Sequence, residues 1–252
     1  MSYHIVIPAR MASERLPGKP LAIISGHPLI EHVYRRAMAS AADQVVIATD
    51  SSDIQQAAQA FGAKAVMTSE SHTSGSDRIA ETADQLGWPD EQLIVNLQGD
   101  EPLMPPQCLN QVAGLLENET AADVASLYWP ICEHAQARDP NVVKVVTGRD
   151  GCALYFSRSE IPHARNPATV HAAARGQHAW KRHIGLYAYR AGALRSFTAM
   201  APSPLEATEK LEQLRFLESG HHIVMAEACE FIPEGVDTAE DLERTRKLLA
   251  AG

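Results

Sequence analysis

The sequence predicts an α/β protein in which a mostly parallel central sheet is flanked by helices. In the first half of the chain, short apolar runs of strand length alternate with segments whose apolar residues have helical spacing. Strands separated by helices of this length form parallel sheets that are covered on both faces. The length of 252 residues also suits one large α/β domain, or one domain with a small lobe.

The first half of the chain predicts four strands and four helices in alternation. The strands are expected at residues 3–8, 45–48, 65–67 and 93–97, and the helices at residues 29–38, 52–61, 77–86 and 109–116. Gly62 and Gly87 follow two of these helices and are typical helix stops. Pro17, Gly18 and Pro20 predict a loop between the first strand and the first helix.

After about residue 127 the alternation changes. The expected strands are residues 142–146, 153–156 and 184–189, without regular helices between them, and residues 162–180 predict a mobile loop. A helix at 205–219, a strand at 222–226 and a helix at 238–250 are expected to follow. We therefore expect residues 1–252 to form a single domain, with a smaller lobe inserted at about residues 127–200.

Composition excludes several classes of function. The formal net charge of −9 argues against nucleic acid as the main partner, because binding the phosphate backbone needs a basic surface. No apolar run approaches the roughly 20 residues of a membrane span. Arg10 interrupts the first apolar run, so we expect no signal peptide. The four cysteines form no C-x-x-C pair, which favours reduced thiols and a cytoplasmic location.

The loop after the first strand is the strongest candidate for an anion site. Residues 8–21, PARMASERLPGKPL, place Arg10, Arg15 and Lys19 within ten residues of an otherwise acidic chain. Neither a G-x-G-x-x-G nor a P-loop motif is present, so the phosphates would be bound by side chains. Arginine offers a planar fork to phosphate oxygens and lysine a point charge, which together suit a triphosphate. A solvated loop with scattered charges is the alternative.

Two aspartates are candidates for holding a metal ion. Asp100 follows the predicted 93–97 strand, at the sheet edge where ligands of α/β proteins gather. Its alternative role is that of an acidic turn residue before Pro102. Asp237 precedes the last predicted helix, where it could instead be the N-cap. Both roles are compatible if Thr238 is the cap. Mg²⁺ prefers one or two carboxylates together with phosphate oxygens and water.

Further candidates are polar residues in other parts of the chain. Ser74 and Gly75 precede a helix, where hydroxyls and backbone N–H groups can read a base, or simply cap the helix. Five polar or aromatic residues in the second half of the chain are further candidates for a binding site, and an ordinary structural or surface role is the alternative for each. Two of them, His183 and Tyr187, would share one face of a strand. These five are Arg158, His183, Tyr187, Glu212 and Gln213.

The motifs together resemble those of the sugar-acid cytidylyltransferases, and more narrowly of the 3-deoxy-manno-octulosonate cytidylyltransferase family. The loop matches R-x-x-S-x-R-L-P-x-K-P-L through Arg10, Ser13, Arg15, Leu16, Pro17, Lys19, Pro20 and Leu21. Further matches, in the family's order and spacing, are HTSGSDR (72–78), VNLQGDEP (95–102), ALYFSR (153–158), HIGLYAYR (183–190), LEQLR (211–215) and GVDTAEDL (235–242). The resemblance runs nearly from end to end, and is weakest at 130–140 and 162–180.

The resemblance implies a nucleotide-diphospho-sugar transferase-like, Rossmann-like fold and assigns a role to each candidate. The nucleotide-binding residues would be Arg10, Arg15, Lys19, Ser74, Gly75 and Gln98. The residues that bind the sugar acid would be Arg158, His183, Tyr187, Glu212 and Gln213. Asp100 and Asp237 would hold Mg²⁺ and, together with Lys19, form the catalytic set.

The implied reaction joins 3-deoxy-D-manno-octulosonate (Kdo) to CTP, giving CMP-Kdo and pyrophosphate for lipopolysaccharide biosynthesis, in a homodimer. A related transferase acting on another sugar acid or an alditol phosphate, and a non-catalytic nucleotide-binding module, are the alternatives. Three residues depart from the usual family pattern. Ser76 replaces a threonine, and Met11 and Glu14 change the loop, where Glu14 would lower nucleotide affinity if it faced the triphosphate.

Overall fold

The computed structural model describes residues 2–12, 15–72, 74–165 and 179–250. The predictions for Ser13, Glu14 and most of the 162–180 loop lie outside the described residues. The first half contains β1 (Tyr3–Ala9), a short 3-10 helix (Lys19–Leu21), β2 (Ile23–Ile24), β3 (His27–Pro28), α1 (Leu29–Met38), β4 (Gln44–Thr49), α2 (Ser52–Ala60), β5 (Lys64–Met67), α3 (Gly75–Gln85), β6 (Leu93–Asn96) and α4 (Pro106–Asn118).

The second half supplies the remaining strands and helices. These are β7 (Val124–Pro130), α5 (His134–Arg138), β8 (Lys144–Thr147), β9 (Ala153–Ser157), β10 (Lys181–Arg190), α6 (Ala191–Ala199), α7 (Pro204–Glu209), α8 (Gln213–Glu218), β11 (Ile223–Glu227) and α9 (Ala239–Ala250). Among the described helices, none has the length and apolar character that crossing a bilayer would require.

The predicted sheet is confirmed, and it is mostly parallel. Its main path runs β11-β7-β10-β6-β1-β4-β5, and β10 is the strand that pairs antiparallel with both of its neighbours, β6 and β7. The pairs β1–β4, β1–β6, β4–β5 and β7–β11 are parallel. Because β1 and β6 run side by side in one direction, the loops that follow them meet at one edge of the sheet.

Helices cover both faces of the sheet, as expected for strands that are apolar on both sides. Alternate residues of β1 enter different cores: Ile5 and Ile7 pack with α1, α2 and α4, whereas Val6 packs on the side of α3, α6 and α8. All three side chains are fully buried. The interior is therefore divided by the sheet into two apolar layers, and the loops at the strand ends are left for other roles.

Several elements differ from the sequence-based predictions, and β2, β3, α5 and α6 were not predicted. The single helix expected at 205–219 is wrong, because α7 and α8 are separated at Lys210, which has a φ of 56°. Tertiary bonds hold this break in place: the Glu209 carboxylate accepts hydrogen bonds from the Ser157 hydroxyl and the Arg158 backbone N–H. Strand β7 was not predicted as a strand at all, although it lies between β11 and β10 in the main path of the sheet.

The region predicted as an inserted lobe, 127–200, contains elements of two kinds. Strands β8 and β9 lie off the main path, where β8 joins β10 through the pair Arg182–Lys144. In contrast, β10 lies within the main path, between β6 and β7. The inserted lobe at about residues 127–200 stays a prediction.

Candidate active site

A cleft of about 870 Å³ lies at the carboxyl ends of β1 and β6. Its walls come from the loop after β1, the loop after β6, the first turn of α3 and the segments that precede α8 and α9. The predicted site residues that line it are Arg10, Arg15, Lys19, Ser74, Gly75, Gln98, Asp100, Glu212 and Asp237. The structure thus brings together residues that are more than 200 positions apart in the chain.

The two loops at the sheet edge approach each other closely. A Cβ atom built on Gly99 would lie only 2.8 Å from the carbonyl oxygen of Pro8, so a side chain at this position requires the backbone to move. The Leu97 backbone N–H also donates to the Val6 carbonyl, which extends the β1–β6 contact toward the cleft. This close approach places Asp100 beside the cationic loop.

Lys19 lies between the two predicted metal-binding aspartates. Its Nζ atom is 2.6 Å from Asp100 Oδ2 and 3.2 Å from Asp237 Oδ1, and its side chain is only 14% exposed. Gly18 has a φ of 68°, which is a left-handed conformation that favours glycine, and Lys19 begins the short 3-10 helix that follows. Arg15 makes a further ion pair with Asp237 Oδ2 at 3.0 Å. Two carboxylates therefore converge on one cation.

The structure resolves the two possible roles of Asp237. The hydroxyl of Thr238 accepts the Asp241 backbone N–H, and the Asp241 carboxylate accepts the backbone N–H groups of Asp237 and Thr238. Thr238 and Asp241 thus form a reciprocal cap for α9, as the sequence allowed. The Asp237 carboxylate is not used as the cap, and it is directed to Lys19 and Arg15.

A backbone hydrogen bond holds the Asp237 segment against the β6 loop. The Val236 N–H donates to the Asp100 carbonyl at 2.8 Å. The adjacent Gly235 is also constrained, because a Cβ atom there would lie 3.0 Å from Glu101 Oε1. The two aspartates are consequently positioned by direct contacts between their own segments.

Glu101 is a third carboxyl group at this place, and the sequence analysis did not identify it. Burial, and then the charge of Asp100, raises the pKa of Glu101 to about 8. At neutral pH it is therefore mostly protonated, and adds little negative charge beside the two aspartates. The sequence signal that could have revealed it is its position directly after Asp100 in the QGDEP motif.

The donor set of Asp100 and Asp237 fits Mg²⁺. Both carboxylates already contact a cationic group, the Lys19 ammonium, within 3.2 Å. Mg²⁺ is commonly bound through one or two carboxylates together with substrate phosphates, rather than by a complete protein cage. Among the described residues, no group of three or more His, Cys, Asp or Glu side chains is arranged to hold a metal ion.

The first turn of α3 forms another wall of the cleft. Ser74 is the N-cap of this helix: its hydroxyl accepts the Asp77 backbone N–H at 3.1 Å, and Asp77 bonds back to Ser74. The capping alternative is therefore what the structure shows for the Ser74 side chain. The first N–H groups of a helix have no acceptor within the helix, so the backbone at Gly75 and Ser76 can still donate to a ligand.

Arg78 is a further cleft residue that the sequence analysis did not select. It is only 3% exposed, and its guanidinium donates to Asp50 Oδ2 at 2.6 Å and to the Thr68 hydroxyl. Asp50 and Thr68 follow β4 and β5, so Arg78 ties the start of α3 to the ends of two strands. Its presence in HTSGSDR was visible in the sequence, but its burial was not.

Glu212 and Gln213 lie at the start of α8, next to the cleft. Glu212 lines the cleft, and its Oε2 accepts a hydrogen bond from the Ser76 hydroxyl at 3.3 Å. Desolvation by the surrounding protein raises the pKa of Glu212. Gln213 is 7% exposed, and its Nε2 group has no hydrogen-bond partner among the described residues. A buried amide donor without an acceptor is unusual, and Gln213 is not among the residues that line the cleft.

His183 and Tyr187 share one face of β10, as predicted, with ring centroids 5.3 Å apart. Burial, and then the charge of Arg182, lowers the pKa of His183 to about 3, so this imidazole is neutral at physiological pH. His183 Nε2 is 3.1 Å from the Ser126 hydroxyl, whose proton is directed to the carbonyls of β10. A hydrogen bond between the Ser126 hydroxyl and Nε2 therefore fixes the orientation of the neutral His183 ring. Neither ring is among the residues that line the cleft.

Arg158 is not brought into the cleft in this structure. Its Nε donates to the Glu209 carbonyl at 2.8 Å, and its Nη1 donates to the Pro140 carbonyl at 3.2 Å. Its own carbonyl accepts from the buried Lys144, which also bonds the carbonyls of Asp139 and Val142. Arg158 thus joins the end of β9 to the break between α7 and α8, and its predicted role in sugar binding stays a prediction.

A cationic loop and two carboxylates at the carboxyl edge of a mostly parallel sheet define a nucleotidyltransferase, and a cytidylyltransferase family model matches residues 4–223. The 3-deoxy-manno-octulosonate cytidylyltransferase of Thioalkalivibrio sulfidiphilus is 53% identical over 253 residues, and that of Haemophilus influenzae is 49% identical over 255 residues. Each alignment covers 100% of both chains. The chain therefore belongs to the cytidylyltransferase family and, within it, to the 3-deoxy-manno-octulosonate cytidylyltransferases, which confirms the resemblance seen in the motifs.

Solved structures agree with this assignment. A structure of CMP:2-keto-3-deoxy-manno-octonic acid synthetase complexed with CTP has a TM-score of 0.90 and 41% identity, over 99% of this chain and 98% of the other. A structure of 4-diphosphocytidyl-2C-methyl-D-erythritol synthase has a TM-score of 0.64 at 13% identity, covering 98% of this chain and 99% of the other. The second similarity shows a common fold alone, and it supports the predicted nucleotide-diphospho-sugar transferase-like architecture.

Proposed function

We propose that this enzyme transfers the cytidylyl group of CTP to the anomeric hydroxyl of Kdo, giving CMP-Kdo and pyrophosphate. The full-length identity to 3-deoxy-manno-octulosonate cytidylyltransferases supports the choice of both substrates. The observation that carries the proposal is the position of Lys19 between Asp100 and Asp237, inside a cleft large enough for a nucleotide. The arrangement offers cations for a triphosphate and carboxylates for a metal ion at one place.

The reaction is a displacement at phosphorus. The anomeric oxygen attacks the α-phosphorus of CTP, the bond from that phosphorus to the β-phosphate oxygen breaks, and pyrophosphate leaves. The hydroxyl proton passes to water. Such a reaction depends chiefly on alignment and on neutralising charge. Arg10, Arg15 and Lys19 would bind the phosphates, with Lys19 nearest the charge that develops as pyrophosphate leaves.

Asp100 and Asp237 would hold Mg²⁺ in this scheme. When bound, the ion would neutralise charge on the phosphates and help to align the two reacting oxygens. Lys19 would then have to share the carboxylates with the ion or turn to the phosphates, and its long flexible side chain permits that movement. The Thr238–Asp241 cap and the Val236–Asp100 hydrogen bond would keep the Asp237 backbone in place meanwhile.

The nucleoside would lie against the first turn of α3. The backbone at Gly75, the Ser74 segment and the Gln98 amide line this part of the cleft, and they are the groups we propose to contact it. A Cβ atom on Gly75 would be 4.0 Å from Gln98 Oε1, so the two contacts are adjacent. The anchoring of Arg78 to the ends of β4 and β5 would keep this wall rigid.

The sugar acid would lie toward α8 and β10. We propose Glu212, with its carboxylate on the cleft, and Gln213, with its unpaired amide donor, as groups that bind sugar oxygens. His183 and Tyr187 would form the apolar and acceptor part of the same region. Arg158 would contact the sugar carboxylate through N–H groups beyond the two that bond backbone carbonyls, since a guanidinium has five.

The remaining expectations also belong to this proposal. A homodimer and a role in lipopolysaccharide biosynthesis are supported by membership of the family. A cytoplasmic location is supported by the cysteines, which are all thiols in this structure. Light scattering of the purified protein would measure its oligomeric state. Cell fractionation would determine in which compartment the protein is found.

A matrix of substrates tests the function. CTP, UTP, ATP and GTP would each be combined with Kdo, an 8-substituted analogue, other sugar acids and an alditol phosphate, with and without Mg²⁺, and pyrophosphate release would be measured. We expect release with CTP and Kdo that depends on Mg²⁺. Release with a different acceptor alone would favour the related transferase. CTP binding by calorimetry without release from any acceptor would favour a non-catalytic module.

A further inference from the structure

Two cysteine side chains lie next to each other outside the cleft. Cys108 is in α4 and Cys229 follows β11, and their Sγ atoms are 3.8 Å apart although 121 positions separate them in the chain. Cys108 is buried and Cys229 is exposed. Nothing in the proposed transfer reaction uses either thiol.

The contact between the sulfurs is held by the surrounding structure. Gln111, one turn further along α4, accepts the Cys229 backbone N–H at 2.8 Å and donates to the Glu227 carbonyl at 2.7 Å. The Cys108 thiol lies 3.7 Å from the Glu230 carbonyl. The backbone on both sides of Cys229 is therefore anchored to α4, and the Cys229 side chain is kept beside Cys108.

We propose that Cys108 and Cys229 are a modification site at which a hydroperoxide forms a reversible intramolecular disulfide. A disulfide requires an S–S distance of about 2.05 Å, so the sulfurs must approach by roughly 1.8 Å. Cys108 lies on the buried face of α4, so most of this shift falls on the exposed Cys229 and its loop. A movement of that size is within the range of one side-chain rotation with a small backbone adjustment.

The chemistry assigns a different role to each sulfur. Burial raises the pKa of the Cys108 thiol to about 12, so the exposed Cys229 is the sulfur that reacts first with the oxidant. Its thiolate attacks one peroxide oxygen, the O–O bond breaks, and a sulfenic acid and one water form. The Cys108 sulfur then attacks the Cys229 sulfur, the S–O bond breaks, and the Cys108 proton passes to the departing hydroxide, which leaves as the second water. Two thiols and one hydrogen peroxide thus give one disulfide and two waters.

The disulfide would join the two segments that carry the cleft aspartates. Asp100 lies eight residues before Cys108, and Asp237 lies eight residues after Cys229. In the reduced protein these segments meet through the Val236–Asp100 hydrogen bond. The crosslink would add a covalent tie at their far ends, and the segment from 229 to 237 would open less often. This inference rests on the sulfur geometry and does not depend on the proposed reaction.

The test is oxidation of the full-length protein with hydrogen peroxide at low excess. Thiol titration under denaturing conditions should fall from four to two, and mass spectrometry should find Cys108 and Cys229 in one crosslinked peptide pair, two mass units lighter than the reduced pair. Dithiothreitol should restore all four thiols. Cys229→Ser should lose the crosslink. The matched control is Cys132→Ser, which replaces another exposed cysteine and should retain the crosslink.

A second measurement tests the mechanical consequence. Hydrogen exchange of the peptide covering 230–238 should slow at least several-fold on oxidation of the wild-type protein, and should not change in Cys229→Ser. The Tm of the oxidised protein should rise by about 5 °C or more, because the bridge closes a loop of more than 100 residues. Oxidation of Cys229 to a sulfinic acid without a crosslink, a disulfide between two molecules, or unchanged exchange after crosslinking would each overturn the inference.

Discussion

Replacing Asp237 with asparagine keeps the shape of the side chain and removes one of the two carboxylates that face Lys19. Its ion pair with Arg15 is largely open to solvent, because the Asp237 side chain is 47% exposed and that of Arg15 is 66% exposed, and its pair with the less exposed Lys19 is open to solvent on the Asp237 side. Pairs with this exposure contribute about 0–1 kcal/mol to folding. In a protein of this size that corresponds to less than about 4 °C in Tm.

The effect on turnover should be much larger than the effect on stability. If Asp237 binds Mg²⁺ during the transfer, its loss removes about 3 kcal/mol or more of transition-state stabilisation, which is a fall of at least about 100-fold in kcat/KM. Pyrophosphate release measures this rate, and thermal unfolding of the same preparation measures Tm. We expect Asp237→Asn to lose activity and to retain a nearly unchanged melting curve.

Glu243→Gln is the matched control, because it removes an exposed carboxylate of α9 that pairs with Arg246 and does not contact Asp237. Its loss should change stability by no more than about 1 kcal/mol while the turnover is retained. Activity of Asp237→Asn within tenfold of the wild type, at saturating Mg²⁺, would refute the metal role. A collapse of its Tm would show instead that the exposed ion pairs are structural.

Three further substitutions test other parts of the structure. In the wild type, the free energy of unfolding should fall by about 2–3 kcal/mol as the pH is lowered from 6.5 to 4.5, as measured by urea unfolding. The reason is that the pKa of His183 is about 3 in the folded protein, so that only the unfolded chain takes up the proton in this range. His183→Gln should abolish this loss. The exposed His222→Gln should keep this slope, and a slope unchanged in His183→Gln would contradict the assignment. Gly99→Ala should lower the free energy of unfolding by about 1–3 kcal/mol, because its Cβ would clash with the Pro8 carbonyl oxygen. Gly75→Ala should leave the stability unchanged and raise the KM for CTP. A melting curve of Gly99→Ala equal to that of the wild type would exclude the clash. Gln213→Leu should raise KM for Kdo at unchanged stability and unchanged KM for CTP, and a rise for both substrates would argue against a sugar contact.

Local pattern was enough to predict most of the elements that build the sheet. Strands β1, β4 and β6 are short apolar runs between clear breakers, and each is buried on both faces, so period and flanking residues agree. The prediction of secondary structure failed where contacts with remote segments determine where a helix ends. The helix expected at 205–219 breaks at Lys210 because Glu209 is bound by residues after β9, and no local feature announces those partners.

The candidate site, like the fold, could be predicted from the sequence only in part. The sequence by itself identified the cationic loop and both aspartates, because residue type and motif order are properties of the chain. Only the tertiary structure decided that Thr238 takes the capping role and leaves Asp237 free to meet Lys19, and that Arg158 is bonded to backbone carbonyls. It also revealed the raised pKa of Glu101 and the adjacent thiols of Cys108 and Cys229. Burial and distance arise when remote segments pack together, so they cannot be read from neighbours in sequence.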